Sequence, residues 1–593
     1  MERWVLLRKG ADFKSISRKF HISPYLAVLV RNRGIIGDQA IQDYLYGTIA
    51  DLYDGMLMKD MDKAVEILLE KIREGARIRI IGDYDIDGVN ATYILMEGLR
   101  GLGAVVDIDI PDRMTDGYGI NQNLIDRAKE AGADTIITCD NGIAAAEEIA
   151  YGKSLGMTIV VTDHHEIPYR EENGERKYVL PPADAVVDPK RADCLYPFKG
   201  LCGAAVAYKL MEALYEASGK DSADIDYLME EVAIATVGDV MDLTGENRIF
   251  VRQGLEMLQS TSNLGLKALM ECTKIDPARI SSYHIGFVMG PCMNASGRLD
   301  TAKRALELLD AGTKAEADIL AGDLKALNDS RKDMTEDAVK QAMELVEQTA
   351  AGRDKVLVLY LPKCHESLAG IVAGRIREYY YKPVFVLTDS GEEVKGSGRS
   401  IEAYHMYEEL NKCSALLTRF GGHKLAAGLS LPRKNVERFR QGINAVCTLK
   451  EEDMQEKVSI DMELPFAQVT EEFIKELELL EPFGKGNPKP VFAQRQVEVL
   501  AARLIGKKRN MLRMQVRDSY GTSMEAVYFG DASAYLDEVE RHYGAEVKRD
   551  FFAGACQRIR MSVTYYPGIN EYMGEKRVQI TLTHYQITHY QIT

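Results

Sequence analysis

The sequence predicts an α/β protein in three parts: a parallel-sheet domain, a long helix leading to a smaller α/β domain, and a small all-β domain at the end. Three observations predict it. From Arg77 onward, short β-branched runs alternate with segments of helical apolar period. Residues 314–350 are rich in Ala, Leu, Lys, Glu and Asp and contain no proline. Beyond Pro488, apolar and polar residues alternate singly, the period of half-buried strands.

Taken in order, residues 77–81, 105–110, 135–138, 158–162 and 185–187 read as strands, with helices at 90–102 and 121–131 between them. Such alternation gives a mostly parallel sheet covered on both faces, whose ligands bind beyond the carboxyl ends of the strands. Residues 232–237 fit either a helix or a strand. The 314–350 segment, with Gly322 as its one interior glycine, reads as one long helix or a helix pair. It would serve either as a strut between two domains or as a peripheral hairpin.

A second α/β pattern opens at Lys355-Val356-Leu357-Val358. It continues through a helix at 369–380, a strand at 383–387, and the glycine-rich Gly396-Ser397-Gly398-Arg399-Ser400 and Gly421-Gly422-His423. Pro482-Phe483-Gly484-Lys485-Gly486-Asn487-Pro488 reads as a turn-rich linker. Alternating runs at 496–503, 511–516 and 524–529 then suggest a small β-barrel. Residues 583–587 recur as 588–592, and two copies are too few for a repeat architecture. The expected division is an N-terminal extension at 1–50, a catalytic domain at 51–310, a connecting helical region at 311–352, a second domain at 353–450, and a linker with β-barrel at 451–593.

Composition narrows the class. The chain has 593 residues, 46% apolar and 28% charged, which suits several ordered domains and excludes a disordered chain. A net charge of −16 is the wrong sign for coating nucleic acid by bulk electrostatics, so a nucleic-acid partner needs a locally basic channel. Nine scattered cysteines without a CxxC pair fit reduced thiols. The charged start lacks a signal-peptide core, and no stretch approaches the roughly 20 apolar residues of a membrane span. A cytoplasmic protein with no membrane partner is expected.

Four acidic motifs carry the chemistry: Gly82-Asp83-Tyr84-Asp85-Ile86-Asp87-Gly88, Cys139-Asp140-Asn141-Gly142, Thr162-Asp163-His164-His165-Glu166 and Gly238-Asp239-Val240-Met241-Asp242. Three directly follow a predicted strand. Read on an extended segment, Asp85 and Asp87 point to the same side and could hold two adjacent metals, one each. Asp140 and Asp239 could complete the shells, His164 adds nitrogen, and His165 could face substrate. A mixed oxygen and nitrogen set suits Mn²⁺, with Mg²⁺ as competitor, and a two-metal cage hydrolyses phosphoesters. Each Asp alone is more often a helix N-cap. A calcium loop is excluded because the position eleven after Asp83 is Ile94, not glutamate. It is the conjunction that overturns the bland reading.

These motifs resemble those of the DHH phosphoesterase superfamily, and Gly421-Gly422-His423-Lys424-Leu425-Ala426-Ala427-Gly428 resembles its DHHA1 domain. Ile110-Pro111-Asp112-Arg113, Met293-Asn294-Ala295-Ser296-Gly297-Arg298 and Glu481-Pro482-Phe483-Gly484-Lys485-Gly486-Asn487-Pro488 are similar to the RecJ-type single-strand-specific exonucleases within it. The likeness runs from about residue 52 to 492, and the C-terminal β region resembles that family's OB-fold. It implies 5′→3′ hydrolysis of single-stranded DNA to mononucleotides with two Mn²⁺ or Mg²⁺ ions, in repair and recombination.

On the matching positions, Asp85, Asp87, Asp140, His164 and Asp239 would be metal ligands, with Asp83 as a further ligand or an acid behind them. Asp163 would orient a neighbouring histidine, and His165 would contact the scissile phosphate. Arg113, Ser397 and Arg399 match holders of a terminal 5′ phosphate, and Arg298 and His423 match contacts to the DNA backbone. Lys507, Lys508 and Arg509, with Arg513, would line an OB groove or tip an exposed hairpin. Asp188 reads as a turn residue. Departures from the family pattern (Cys364, Ser367-Leu368, Cys292 and Ile86) spare every metal ligand. Single-stranded DNA is the implied partner, with a single-strand-binding protein or a helicase as protein partners and a monomeric state. The rival readings are a phosphodiesterase of short oligonucleotides or cyclic dinucleotides and an inactive DNA-binding replication scaffold.

Overall fold

A computed structural model describes residues 2–112, 116–117, 119–172, 175–507, 509–552, 559–572 and 574–588. The chain divides into two compact units, one of residues 52–242 and 249–456, the other of residues 2–51, 243–248 and 457–593.

The first unit begins with the predicted parallel sheet. Strands β1 (Arg77–Ile81), β2 (Val105–Asp109), β3 (Thr135–Cys139), β4 (Thr158–Thr162) and β5 (Ala185–Val187) lie in the order β2-β1-β3-β4-β5, all parallel. Ile80 pairs with Ile108 on one side and Ile137 on the other. Both faces are covered, so the strands are continuous β-branched runs rather than alternating ones. Arg79 is the exception inside β1. It is buried and held by Asp107 at 2.5 and 2.8 Å. The strand order reverses between β1 and β3, and at such a switch point the loops splay apart to leave a crevice.

Helix α1 (Ile86–Gly101) follows β1, and α2 (Gly203–Ser218) and α3 (Met229–Gly238) pack against it. The ambiguous 232–237 segment is therefore helix, its apolar residues buried on every side. A π-helical turn (Ile285–Met289) runs directly into α4 (Gly290–Leu299).

Residues 314–350 form one helix, α5 (Lys314–Gln348), of 35 residues. At about 1.5 Å per residue it spans roughly 50 Å. Its buried stripe, Ala317, Ala321, Leu324, Asn328, Thr335, Ala338, Ala342 and Val346, is mostly small residues, which admit close packing. The first half lies on α4 and on the helix Leu264–Thr273, the second on α6 (Glu366–Tyr380) and on strand β6 (Leu357–Tyr360). α5 is the strut, not the hairpin.

The second α/β part is a mixed sheet in the order β9-β10-β8-β7-β6, with β7 (Val384–Ser390), β8 (Glu393–Arg399), β9 (Arg419–Gly422) and β10 (Ala426–Pro432). Only β6 and β7 run parallel; the other pairs are antiparallel. Alternation in β7 fills two cores: Val384 and Val386 face α5 and α6, while Phe385 and Leu387 face Phe439 and its neighbours.

The second unit is built on a closed five-stranded barrel. Strands β11 (Phe492–Ile505), β12 (Met511–Arg517), β13 (Ser523–Tyr528), β14 (Arg560–Tyr572) and β15 (Glu575–Ile587) form the ring β11-β12-β13-β15-β14, closed by β11 on β14. Helix α7 (Ala532–Tyr543) lies in the β13–β14 connection, the OB arrangement. Residues 2–51 belong to this unit: Arg3–Leu6 pairs in parallel with Lys457–Ile460. The turn-rich segment at 482–488 is not a loose linker. Asn487 is buried, accepts from Arg33 Nε at 2.8 Å and Tyr44 Oη at 2.9 Å, and donates to the carbonyls of Leu480 and Pro482.

Candidate metal centre

The strand ends deliver the acidic motifs to one place. Asp83 and Asp85 lie in the turn after β1, Asp140 follows β3, and Asp163, His164 and His165 follow β4. Asp239 arrives from another direction, as the residue that caps the C-terminus of α3. Asp85 is the N-cap of α1 and its Oδ1 accepts from the amides of Asp87 and Gly88, so the bland N-cap reading is true of it as well. Asp87 already sits in the first turn of α1, not on an extended segment, and the same-side argument for the two aspartates does not hold. The helical step sends them to separate neighbours instead.

Among the described residues three sets of close donors result: Asp87, His164 and Asp239 in one, Asp83, Asp85 and Asp140 in the second, and Asp140, His164 and His165 in the third. His164 joins them. Its Nε2 lies 3.0 Å from Asp140 Oδ1, 3.4 Å from Asp87 Oδ2 and 3.9 Å from Asp239 Oδ2. Asp140 adopts a left-handed backbone (φ +59°), a conformation aspartate tolerates better than most residues.

Burial and mutual repulsion dominate the electrostatics. Burial, then the charge of Asp85, pushes Asp83 up to about 8. Asp87 is raised for the same two reasons, and Asp140 lies well above the carboxylate range through burial and the charges of Asp87, Asp85, Asp83 and Asp163. Burial holds His164 below its ordinary value. Neither ring nitrogen of His164, nor Asp83 Oδ1, has a hydrogen-bond partner among the described residues. Crowded carboxylates around a neutral imidazole with bare nitrogens are a poor hydrogen-bonding cluster and a good cation site. The donor set fits Mn²⁺ or Mg²⁺.

Asp163 behaves differently. Its Oδ1 accepts from the amides of His164 (2.7 Å) and His165 (3.1 Å) and lies 2.7 Å from His165 Nδ1, while Oδ2 accepts from the Ile143 amide at 2.9 Å. Burial alone would raise it, but the His165 hydrogen bond, the His165 charge and the Ile143 amide hold it below the ordinary range. Burial would lower His165, and the Asp163 contact outweighs it, lifting the imidazole to about 9. His165 is thus a partly exposed cation beside the acidic cluster.

Several supports had no role in the sequence reading. The amides of Gly203 and Ala204, at the start of α2, donate to Asp87 at 2.7 and 2.8 Å. A Cβ at Gly203 would stand 2.6 Å from Asp140 Cβ. The Gly-Ala-Ala run after Cys202 was the available signal. Asn294 on α4 accepts from the Ile86 amide at 3.0 Å and fixes the Asp83–Asp87 loop. Asp188, at the end of β5, is the turn residue expected, with Oδ1 accepting from Lys190 N at 2.7 Å. It is also fully buried, and its Oδ2 has no hydrogen-bond partner among the described residues.

The phosphate candidates separate into groups. Arg298, on α4 one residue past the close packing of Gly297 on Tyr84, donates to Ser367 O at 2.9 Å. Ser397 and Arg399 lie on β8, and Arg399 reaches Gly370, so both arginines meet the first turns of α6. Burial, then the nearby Arg377, holds Arg399 below its ordinary value. His423 lies in the β9–β10 turn, exposed, its Nδ1 accepting from Leu425 N. Lys507 and Arg509 are exposed at the β11–β12 turn, and Arg513 is paired with Glu525 at 2.5 Å. Arg113 and Lys508 lie outside the described residues.

Sheet order, strand-end carboxylates and the imidazole among them define a metal-dependent phosphoesterase architecture. Family models agree: the DHH family, N-terminal domain, matches residues 77–236, the DHHA1 domain 353–449, and the RecJ OB domain 460–584. The chain is 34% identical over 595 residues to the single-stranded-DNA-specific exonuclease RecJ of Bacillus subtilis, covering 100% of this chain and 71% of that protein. It is 32% identical to RecJ of Salmonella typhimurium, covering 97% and 98%. The crystal structure of Thermus thermophilus RecJ in complex with Mn²⁺ superposes with a TM-score of 0.80 at 27% identity, covering 99% of this chain and 80% of that one. The Mg²⁺ complex of the same protein superposes at 0.76. The chain belongs to the RecJ family. Among the described residues, no helix is long and apolar enough to cross a membrane.

Proposed function

We propose that this chain is a metal-dependent exonuclease that hydrolyses single-stranded DNA from its 5′ end to nucleoside 5′-monophosphates, acting in DNA repair and recombination. The supporting observation is the convergence of five aspartates and His164 at one end of the parallel sheet, with a cationic histidine beside them. In this reading Asp85, Asp87, Asp140, His164 and Asp239, with Asp83 beside them, would hold the two divalent cations. When bound, the cations supply the Lewis-acid charge that activates water and steadies the leaving oxygen.

The chain's own residues do the rest. His165 presents its charge to the scissile phosphate, and Asp163 orients that ring and keeps it protonated. Arg399, at the first turns of α6, takes the terminal 5′ phosphate with Ser397 and Arg113, while Arg298, which meets the same turns, contacts the strand's backbone. The fixed fork of arginine suits it. His423 touches the strand's backbone, and the β-barrel, through Lys507, Lys508 and Arg509, holds the strand beyond. The working protein is a cytoplasmic monomer that meets a single-strand-binding protein or a helicase on its substrate. The intact ligand set weighs against an inactive scaffold.

The test is digestion of 5′-labelled and 3′-labelled single strands, and of the matching duplex, with Mn²⁺. Labelled mononucleotide should leave the 5′ end first, with the duplex resistant. Release from the 3′ end first would refute the polarity.

A further inference from the structure

A groove of about 630 Å³ lies away from the acidic cluster, between the π-helical turn with α4, α5 and α6. Phe287, Pro291, Met343 and Ile371 give it an apolar wall, and Arg331 and Arg375 face into it. Arg331 donates twice to Asn328 Oδ1, at 3.1 and 2.9 Å, which fixes its fork. Arg375 is exposed. Among the described residues, no carboxylate lies within ion-pair distance of either guanidinium. Burial and the charge of Arg375 both disfavour the Arg331 cation. Two facing guanidiniums that no carboxylate pairs, with Lys332 and Lys340 in the same lining, make an anion site. Three glutamates line the groove: Glu336 stands five residues beyond Arg331 on α5, a rise of about 7 Å, and Glu344 and Glu347 stand 13 and 16 residues beyond it, about 20 Å or more away, while Lys332 and Lys340 add positive charge.

Phe287 supplies the other half of a recognition surface. It is 68% exposed and stacked on the equally open Tyr283, with ring centroids 5.1 Å apart and planes at 27°. A solvated aromatic pair has no packing reason to be there, and π-helical turns of this kind gather at functional positions. The same turn leads into α4, which fixes the Asp83–Asp87 loop through Asn294 and contacts Ser367 through Arg298. Ser367, Ile371 and Arg375 fall four residues apart on one face of α6.

We propose that this groove is a further nucleotide-binding site, in which a base packs on Phe287 and a phosphate sits between Arg331 and Arg375. The inference rests on the nuclease reading, which supplies both sources of such a ligand: a segment of the strand, or the mononucleotide released. Aromatic packing of a base and charge pairing of its phosphate are the two contacts single-stranded nucleic acid requires.

The test uses the full chain in EDTA, where hydrolysis is suppressed, with a 3′-fluorescein dT12 and with fluorescent 3′-mant-dAMP as probes. Arg331→Gln/Arg375→Gln and, separately, Phe287→Ala should each weaken at least one probe by about 10-fold or more. Loss confined to the mononucleotide assigns the groove to product; loss of strand binding assigns it to substrate. Phe287 and Arg375 are exposed, so Phe287→Ala and the single variant Arg375→Gln should match the parent in Tm. Unchanged binding of both probes in both variants overturns the proposal. Strand hydrolysis by the parent protein with Mn²⁺ is read in the same preparation. An active parent with unaffected variants removes the groove and leaves the nuclease reading. An inactive parent with weakened variants does the reverse.

Discussion

His165 Nδ1 lies 2.7 Å from Asp163 Oδ1, and that oxygen also accepts the amides of His164 and His165. With the Ile143 amide on Oδ2, four groups anchor the carboxylate, and the partly exposed imidazole is the one that titrates. Burial opposes the imidazolium, yet the Asp163 contact lifts it from 6.5 to about 9. A histidine raised in the fold stabilises it fully below the unfolded pKa and loses that contribution as pH rises through the folded one. In metal-free protein, the His165 ring signals in ¹H–¹⁵N spectra should titrate near 9 and, in Asp163→Asn, drop toward the ordinary value. Activity of the variant should fall about 10²-fold or more. A His165 titration unmoved by the substitution would sink the assigned pairing.

Asp188 gives a pH effect of the opposite sign. Burial drives it from 3.8 to about 7, so the fold holds its proton more tightly than the unfolded chain does. No cost arises below about 3.8. The cost grows as the unfolded state ionises and is complete above about 7. Asp188→Asn, which keeps the turn contact to Lys190, should raise Tm at pH 8 by about 2–4 °C and leave it unchanged at pH 4. Differential scanning fluorimetry at the two values decides it, and equal shifts would show that burial is not the cause.

Much of this was legible in the sequence because the parallel sheet is written in continuous runs such as Ile78–Ile81 and Thr158–Thr162, each ending in an acidic motif. Residues 314–350 likewise carry their helix in composition. Pattern runs out where the determinants are backbone groups or distant pairings. The amides of Gly203 and Ala204 hold Asp87 from 116 and 117 residues away and leave no side-chain signature. Asp85 and Asp87 look like an extended pair until the helix is seen to start at Ile86. Arg3–Leu6 joins Lys457–Ile460 across most of the chain, and no local period announces that. Asn487 sits in a glycine and proline run that reads as a linker, although its side chain is wholly buried.

Gly203→Ala tests the backbone contribution directly. The added methyl would meet Asp140 Cβ at 2.6 Å and Cα at 2.9 Å, neither of which is a flexible side-chain end. Either Asp140 or the start of α2 must shift, and the latter carries the amides that hold Asp87. A displacement of about 1 Å at a positioned group costs on the order of 10²-fold in rate. The variant should stay folded by circular dichroism, need more Mn²⁺ for half-maximal rate, and lose about 10²-fold in kcat. Parent-like metal dependence would mean that the packing at Asp140 does not set the site.

Asn487 tests the second unit in the same terms. Its side chain joins four partners: Arg33 Nε and Tyr44 Oη as donors, the carbonyls of Leu480 and Pro482 as acceptors. Arg248 Nη1 adds a contact to Leu480 O at 2.9 Å, so residues 2–51, 243–248 and 457–593 meet at one polar core. Removing the amide leaves buried groups unpaired, each costing about 1–3 kcal/mol if water cannot reach it. Asn487→Ala should destabilise the second unit by about 3 kcal/mol, visible as a lower Tm and faster amide exchange around Tyr44 and Leu480. Asn487→Asp can still accept from Arg33 Nε and Tyr44 Oη but cannot donate to the carbonyls of Leu480 and Pro482, so it should be destabilising too. The first unit should keep its exchange protection in both variants. If Asn487→Ala leaves exchange at Tyr44 and Leu480 unaltered, the 482–488 segment is a linker after all, and the hydrogen bonds there contribute nothing measurable.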